Sequence, residues 1–114
     1  MKFFSDSTGK QYQIDINVGS IERLKEACGI DLTQLFSDEL KLLSKLFEDP
    51  VFLVKVLWAL CGDGATPANF MRAMKGDFLL DAANALVEDV IDFFPNPRRR
   101  ELCRATVAKL WETV

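Results

Sequence analysis

Histidine is absent from the 114 residues. That excludes Ser-His-Asp and Cys-His catalysis, zinc sites built on imidazole, and a histidine pH switch. Cysteine is scarce and odd in number: Cys28, Cys61 and Cys103 stand far apart and form no CxxC pair. Neither a disulfide framework nor a metal knuckle is expected, but three reduced, buried thiols in a cytosolic protein. An excess of positive charge is missing too. Fourteen Lys and Arg against seventeen Asp and Glu leave a formal charge of −3. Bulk attraction to nucleic acid or anionic lipid is therefore not expected. No long hydrophobic run occurs either. The most apolar stretch, residues 51–61, contains Lys55 and falls well short of the ~20 residues that a membrane span needs. It reads as a buried core helix. Charged and polar residues between Ser5 and Gln13 interrupt the start too early for a secretory signal.

What is present is an apolar fraction of 49% in a chain of one domain's length, 1–114. A core can form, with apolar surface to spare for a partner. Residues 1–18 read as a β-hairpin. Tyr12, Ile14, Ile16 and Val18 alternate with Gln11, Gln13, Asp15 and Asn17, a period of two. The run Lys2-Phe3-Phe4-Ser5 precedes them, and the turn between can use Gly9 at positive φ. A lone hairpin is marginal in water, so its apolar face must pack on helices. Ser7-Thr8-Gly9-Lys10 is not a phosphate loop, because the GxxxxGK[ST] spacing is absent.

Residues 19–114 read as helical, giving a mainly α (α+β) fold of five or six helices around a central apolar helix. The first helix runs to about Cys28, with a start between Asn17 and Ser20, a stripe of Ile21, Leu24 and Cys28, and Gly29 as left-handed stop. Asp31 can cap a short turn, and Leu40, Leu43 and Phe47 mark a helix over 38–48. Three cap-plus-proline pairs follow: Asp49-Pro50, Thr66-Pro67 and Asn96-Pro97. They predict helices at 50–61, 67–75 and 97–113, with Gly62 and Gly76 ending the first two. Asp77 is the expected cap of a helix over 78–94 that Pro95 terminates. The loop Gly62-Asp63-Gly64-Ala65 is the expected mobile piece.

Two charge patterns bear on function. Asp77, Asp81, Asn84, Glu88 and Asp92 form one polar stripe at helical spacing. Nothing elsewhere in the sequence converges on it, so it reads as a solvated face rather than a metal or catalytic site. Arg98, Arg99, Arg100 and Arg104 crowd the start of the last helix, where cations face the positive end of the helix dipole. Asp89 and Asp92 on the preceding helix are the near candidates to offset them. An acidic patch on a protein partner is the other. Trp111, with Leu102, Val107 and Leu110, and the pair Phe93-Phe94 belong to the core or to an interaction face. Arg98, Arg99, Arg100, Arg104, Trp111, Phe93 and Phe94 are accordingly the candidate protein-binding residues. No catalytic, metal or cofactor site is expected.

Several strings, taken in order, resemble one family. They are Met1-Lys2-Phe3-Phe4-Ser5-Asp6-Ser7-Thr8-Gly9-Lys10, Ile16-Asn17-Val18-Gly19-Ser20-Ile21 and Gly29-Ile30-Asp31-Leu32. Further on come Asp49-Pro50, Leu57-Trp58-Ala59-Leu60-Cys61, Phe70-Met71-Arg72-Ala73-Met74-Lys75-Gly76-Asp77, and Asp92-Phe93-Phe94-Pro95 followed by Arg98-Arg99-Arg100. The ordered set is similar to the tail assembly chaperones of long-tailed (siphovirus-type) phages and prophages, across nearly the whole chain. The resemblance implies a non-enzymatic chaperone of the host bacterial cytoplasm, absent from the mature virion. Such proteins coat the helical tape measure protein while tail tube subunits polymerise around it. In many such phages a frameshifted longer form recruits the tail tube protein, and this chain would be the short form. Self-association as a homo-oligomer is left open; nucleic acid and membrane are not expected partners. The alternatives are a small virion structural protein (head–tail connector or tail completion) and a small helical DNA-binding regulator.

Overall fold

The computed structural model describes residues 2–36, 40–61 and 67–112, without the side chains of Pro67 and of residues 110–112. Strands β1 (Lys2–Ser5) and β2 (Gln11–Ile14) pair antiparallel, with Phe4 opposite Tyr12 and Lys2 opposite Ile14. The two-residue period places Phe4, Tyr12, Ile14 and Ile16 in the core. The hairpin turn is tied by one carboxylate. Asp6 accepts hydrogen bonds from the Thr8 N–H and hydroxyl, the Lys10 N–H and the Tyr12 hydroxyl. Gly9 supplies the positive φ of 90° that the turn requires.

Val18 departs from the strand pattern. It opens helix α1 (Val18–Cys28) and is 71% exposed. The cause is a capping box: the Asn17 side chain accepts the Ser20 N–H and the Ser20 hydroxyl accepts the Asn17 N–H, both at 2.9 Å. This resolves the start of the helix at Asn17. Gly29, at φ 70°, closes it by donating to Lys25 O. Ile21 and Leu24 are buried, but the buried stripe runs out a turn before Cys28, which is exposed. The expectation of three buried thiols therefore holds for Cys103 only; Cys61 is half-buried.

Asp31 caps a single 3-10 turn over Leu32–Gln34, accepting from the Thr33 N–H and hydroxyl. Helix α2 (Lys41–Glu48) follows and buries Leu43 and Leu46, while Leu40 and Phe47 are half-buried. The α-helix begins at Lys41 rather than 38, because Leu40, its N-cap, takes a left-handed φ of 63°; residues 37–39 lie outside the described residues. Asp49 joins two helices: its N–H donates to Lys45 O, and its carboxylate accepts the Phe52 N–H of α3 (Pro50–Cys61). Helix α3 is central. It buries Leu53, Val54, Val56 and Leu57 and packs on α1, α2, α5 (Asp77–Phe93), the short α4 (Pro67–Ala73) and β2. Its outward edge carries Val51, Lys55 and Trp58.

Helix α4 stops at Ala73, two residues earlier than expected, and Gly76 does not end it. Gly76, at φ 60°, sits at the N-cap of α5, and Asp77 is the first residue of that helix rather than its cap. There the Asp77 carboxylate complements the helix dipole. Met74, the first residue past the break, is buried. Helix α5 buries Ala82, Ala83, Leu86, Val87, Val90 and Ile91 between the hairpin and the other helices. Asn96 then caps α6 (Pro97–Glu112) by accepting the Arg98 N–H at 3.0 Å. Of the described side chains on α6, only Cys103 is buried. The expected Thr66 cap, the Gly62 stop and the loop Gly62–Ala65 lie outside the described residues. Among the described residues, no helix is long and apolar enough to cross a membrane.

The fold is mainly helical, with six α-helices among the described residues and an N-terminal antiparallel hairpin.

Candidate functional site

The arginines at the start of α6 are largely turned onto the protein itself. Arg100 Nη1 donates to Phe94 O at 2.7 Å, and the Arg99 guanidinium lies 4.4 Å from the centre of the Phe94 ring. Arg104 Nη2 meets Asp92 Oδ1 at 2.8 Å, and Lys2 Nζ meets Asp92 Oδ2 at 3.4 Å. A carbonyl, a ring face and a carboxylate thus offset the unfavourable position at the helix N-terminus. Of the two acids expected nearby, Asp92 serves the arginines. Asp89 is 3% exposed and accepts the Ile16 N–H at 2.7 Å.

Phe94 is a core residue, edge-on to Phe36 and tilted against the half-buried Phe93. It offers no surface to a partner. The Trp111 side chain lies outside the described residues. Helix α6 presents most of its described length to solvent, including Arg98, Glu101, Lys109 and a Leu102 that is 63% exposed. The acidic stripe of α5 is also outward, with Asn84 half-buried and the four carboxylates exposed. Among the described residues, no three Cys, Asp or Glu side chains are placed to share a metal ion.

Two concavities flank α4, and sequence reasoning did not single them out. On one side, Pro50, Val51 and Val54 of α3, Met71 of α4, Met74 just beyond it, and Leu79 of α5 line an apolar groove of about 150 Å³. Val51 is 58% exposed and Met71 40%, so the groove is open to solvent. Two methionines make such a wall adaptable, because their unbranched side chains re-pack easily.

On the other side, the hairpin turn and α4 form a wider cleft of about 580 Å³, with Lys10, Arg72, Lys75, Asn69 and Thr8 on its walls. The two walls are fastened together. Ser7 N–H donates to Ala73 O at 2.9 Å, and Phe70 stands edge-on to Tyr12 at 5.1 Å. The cleft has little chemistry of its own. Burial and the neighbouring Asp6 push the Tyr12 hydroxyl up to about 12. Burial of Asp6 would raise its pKa, but the hydrogen bonds from Thr8, Tyr12 and Lys10 outweigh that and hold it below the usual carboxylate range.

The missed signal was present in the string Met71-Arg72-Ala73-Met74-Lys75. It holds an apolar pair and a cationic pair, each spaced three residues apart, in a segment where α4 ends at Ala73. No family model matches this chain, and no curated protein or solved structure does.

Proposed function

We propose that this chain is a phage tail assembly chaperone that binds the tape measure protein and keeps it soluble during tail tube assembly, without catalysis. The observation that carries the proposal is the open apolar groove between α3, α4 and α5, lined by Val51, Val54, Met71, Met74 and Leu79. A tape measure helix exposes apolar side chains that aggregate unless covered. A groove of this kind receives such side chains in the helix-in-groove mode. The ordered resemblance to tail assembly chaperones supports the same assignment, and the net charge of −3 favours solubility of a loaded complex. In this proposal the chain acts in the host bacterial cytoplasm and is left out of the mature tail. If a frameshifted longer form is made, the same proposal assigns to it the recruitment of the tail tube protein.

The test is co-expression. An otherwise insoluble tape measure fragment is expected to move into the soluble fraction with this chain, and unchanged precipitation overturns the proposal. Mass spectrometry of purified particles is expected to miss the chain. Stoichiometric incorporation would make it a virion structural protein instead.

A further inference from the structure

Lys10, Arg72 and Lys75 line one cleft of a chain that is acidic overall. Among the described residues, neither Arg72 nor Lys75 has a carboxylate partner, and Lys10 rests 5.1 Å from the centre of the Tyr12 ring. The carboxylate that lines the same cleft is withdrawn. Asp6 is 3% exposed and its oxygens already accept four hydrogen bonds. Those same bonds fix the turn that carries Lys10, and the Ser7–Ala73 bond holds that turn against the end of α4. The cleft is thus a preformed concave wall whose three cations have no carboxylate partner among the described residues.

The end of α4 and the two residues after it relate this wall to the apolar groove. Met71 of α4 and Met74 just past it line the groove, while Arg72 and Lys75, each one residue further along, line the cleft. Apolar and cationic positions therefore alternate along residues 71–75, and Met71 and Arg72, which are on the helix, stand about 100° apart. A helix lying along α4 with its apolar stripe in the groove would bring one edge of that stripe over the cations.

We infer that the cleft reads carboxylates, so that the segment recognised is an amphipathic helix with Asp or Glu along one edge of its apolar stripe. This rests on the groove's being the client site. One exposed ion pair contributes little. Three cations on a concave wall act together, and they also select against a helix with lysines on that edge.

The test uses the full chain and three synthetic helical peptides that share one leucine stripe but carry Glu, Gln or Lys along one edge. Fluorescence anisotropy is expected to show the Glu peptide binding roughly tenfold tighter than the Lys peptide at low salt, with the gap closing as salt screens the pairs. The triple reversal Lys10→Glu/Arg72→Glu/Lys75→Glu is expected to invert that order. The milder Arg72→Gln/Lys75→Gln, on exposed side chains that leave folding undisturbed, should bring the Glu and Lys peptides to within about twofold.

Equal affinity for the Glu and Lys peptides overturns the inference while leaving the groove as client site. So does a preference that neither variant changes. Inorganic phosphate that occupies the cleft without any preference among the peptides makes it a simple anion site and likewise overturns it. Failure of all three peptides to bind overturns the groove assignment as well.

Discussion

The Asp89 carboxylate accepts the backbone N–H of Ile16 at 2.7 Å, joining two residues 73 positions apart. β2 ends at Ile14, so the Ile16 N–H has no strand partner, and Asp89 supplies its acceptor in the core. Asp89→Ala leaves a buried donor unpaired and is expected to cost about 2–3 kcal/mol. Asp89→Asn, which keeps an acceptor oxygen, should cost less. Asp92→Ala, which removes only exposed pairs, should cost about 0–1 kcal/mol. Urea denaturation of the three variants checks the ranking.

Tyr12 is the only tyrosine, so its ionisation has a single optical reporter. Its hydroxyl is pushed up to about 12 by burial and by Asp6, which means that the folded state favours the neutral form. The stabilisation is complete below the ordinary value of about 10 and is lost as pH rises from there toward 12. The tyrosinate absorbance is expected well above pH 10, and Asp6→Asn should bring it down. Asp6 and Asp31 act with the opposite sign. Hydrogen bonds hold both below the usual carboxylate range, so their contribution is present above about pH 4 and disappears as pH falls further. Asp6→Asn is therefore expected to flatten the acid limb of a melting-temperature profile.

Thiol reactivity should separate the three cysteines. Cys28 is exposed. Burial pushes the Cys61 thiol up to about 12, and its Sγ donates to Leu57 O. Burial also raises Cys103, despite the nearby Arg99 and Arg104. A chromogenic disulfide reagent is expected to label one thiol rapidly in the native chain and the other two only after denaturation. Cys28→Ser should abolish the fast phase.

The arginines of α6 and the groove of α4 predict opposite phenotypes. Replacing Arg98, Arg99 and Arg100 by Ser removes the bond to Phe94 O and the contact with the Phe94 ring, and should cost about 1–3 kcal/mol. Solubilisation of a tape measure fragment should survive at temperatures where the variant is folded. Val51→Glu and Met71→Glu alter exposed side chains and should change stability by about 0.5 kcal/mol or less. They should abolish solubilisation. Thermal denaturation and a co-expression solubility assay read both halves.

Much of the architecture was legible where the signal is local. Proline at Pro50 and Pro97, the Asp49 and Asn96 oxygens and the left-handed Gly29 each act within one turn of chain, and the helices begin or end there. The hairpin pairing was legible as well, because a period of two can be read without knowing what lies beneath the strand. Val18 and Gly76 were misplaced for a related reason. At each boundary two local patterns compete: the Asn17–Ser20 capping box prevailed over strand alternation, and α4 stopped at Ala73, just before the buried Met74, rather than running on to Gly76.

The sequence by itself determined the excluded chemistry, the helical periodicities and most of the caps, because these depend on residue type and on neighbours a few positions apart. Only the tertiary structure decided that Asp89 serves Ile16 while Asp92 serves Arg104, and that Phe94 is core. It also brought Val51, Met71 and Leu79 around one groove and Lys10, Arg72 and Lys75 around one cleft. Those groupings join segments distant in sequence. The free energy of burying α3 and α5 sets which of their flanks meet, and no periodicity within a single segment carries that information.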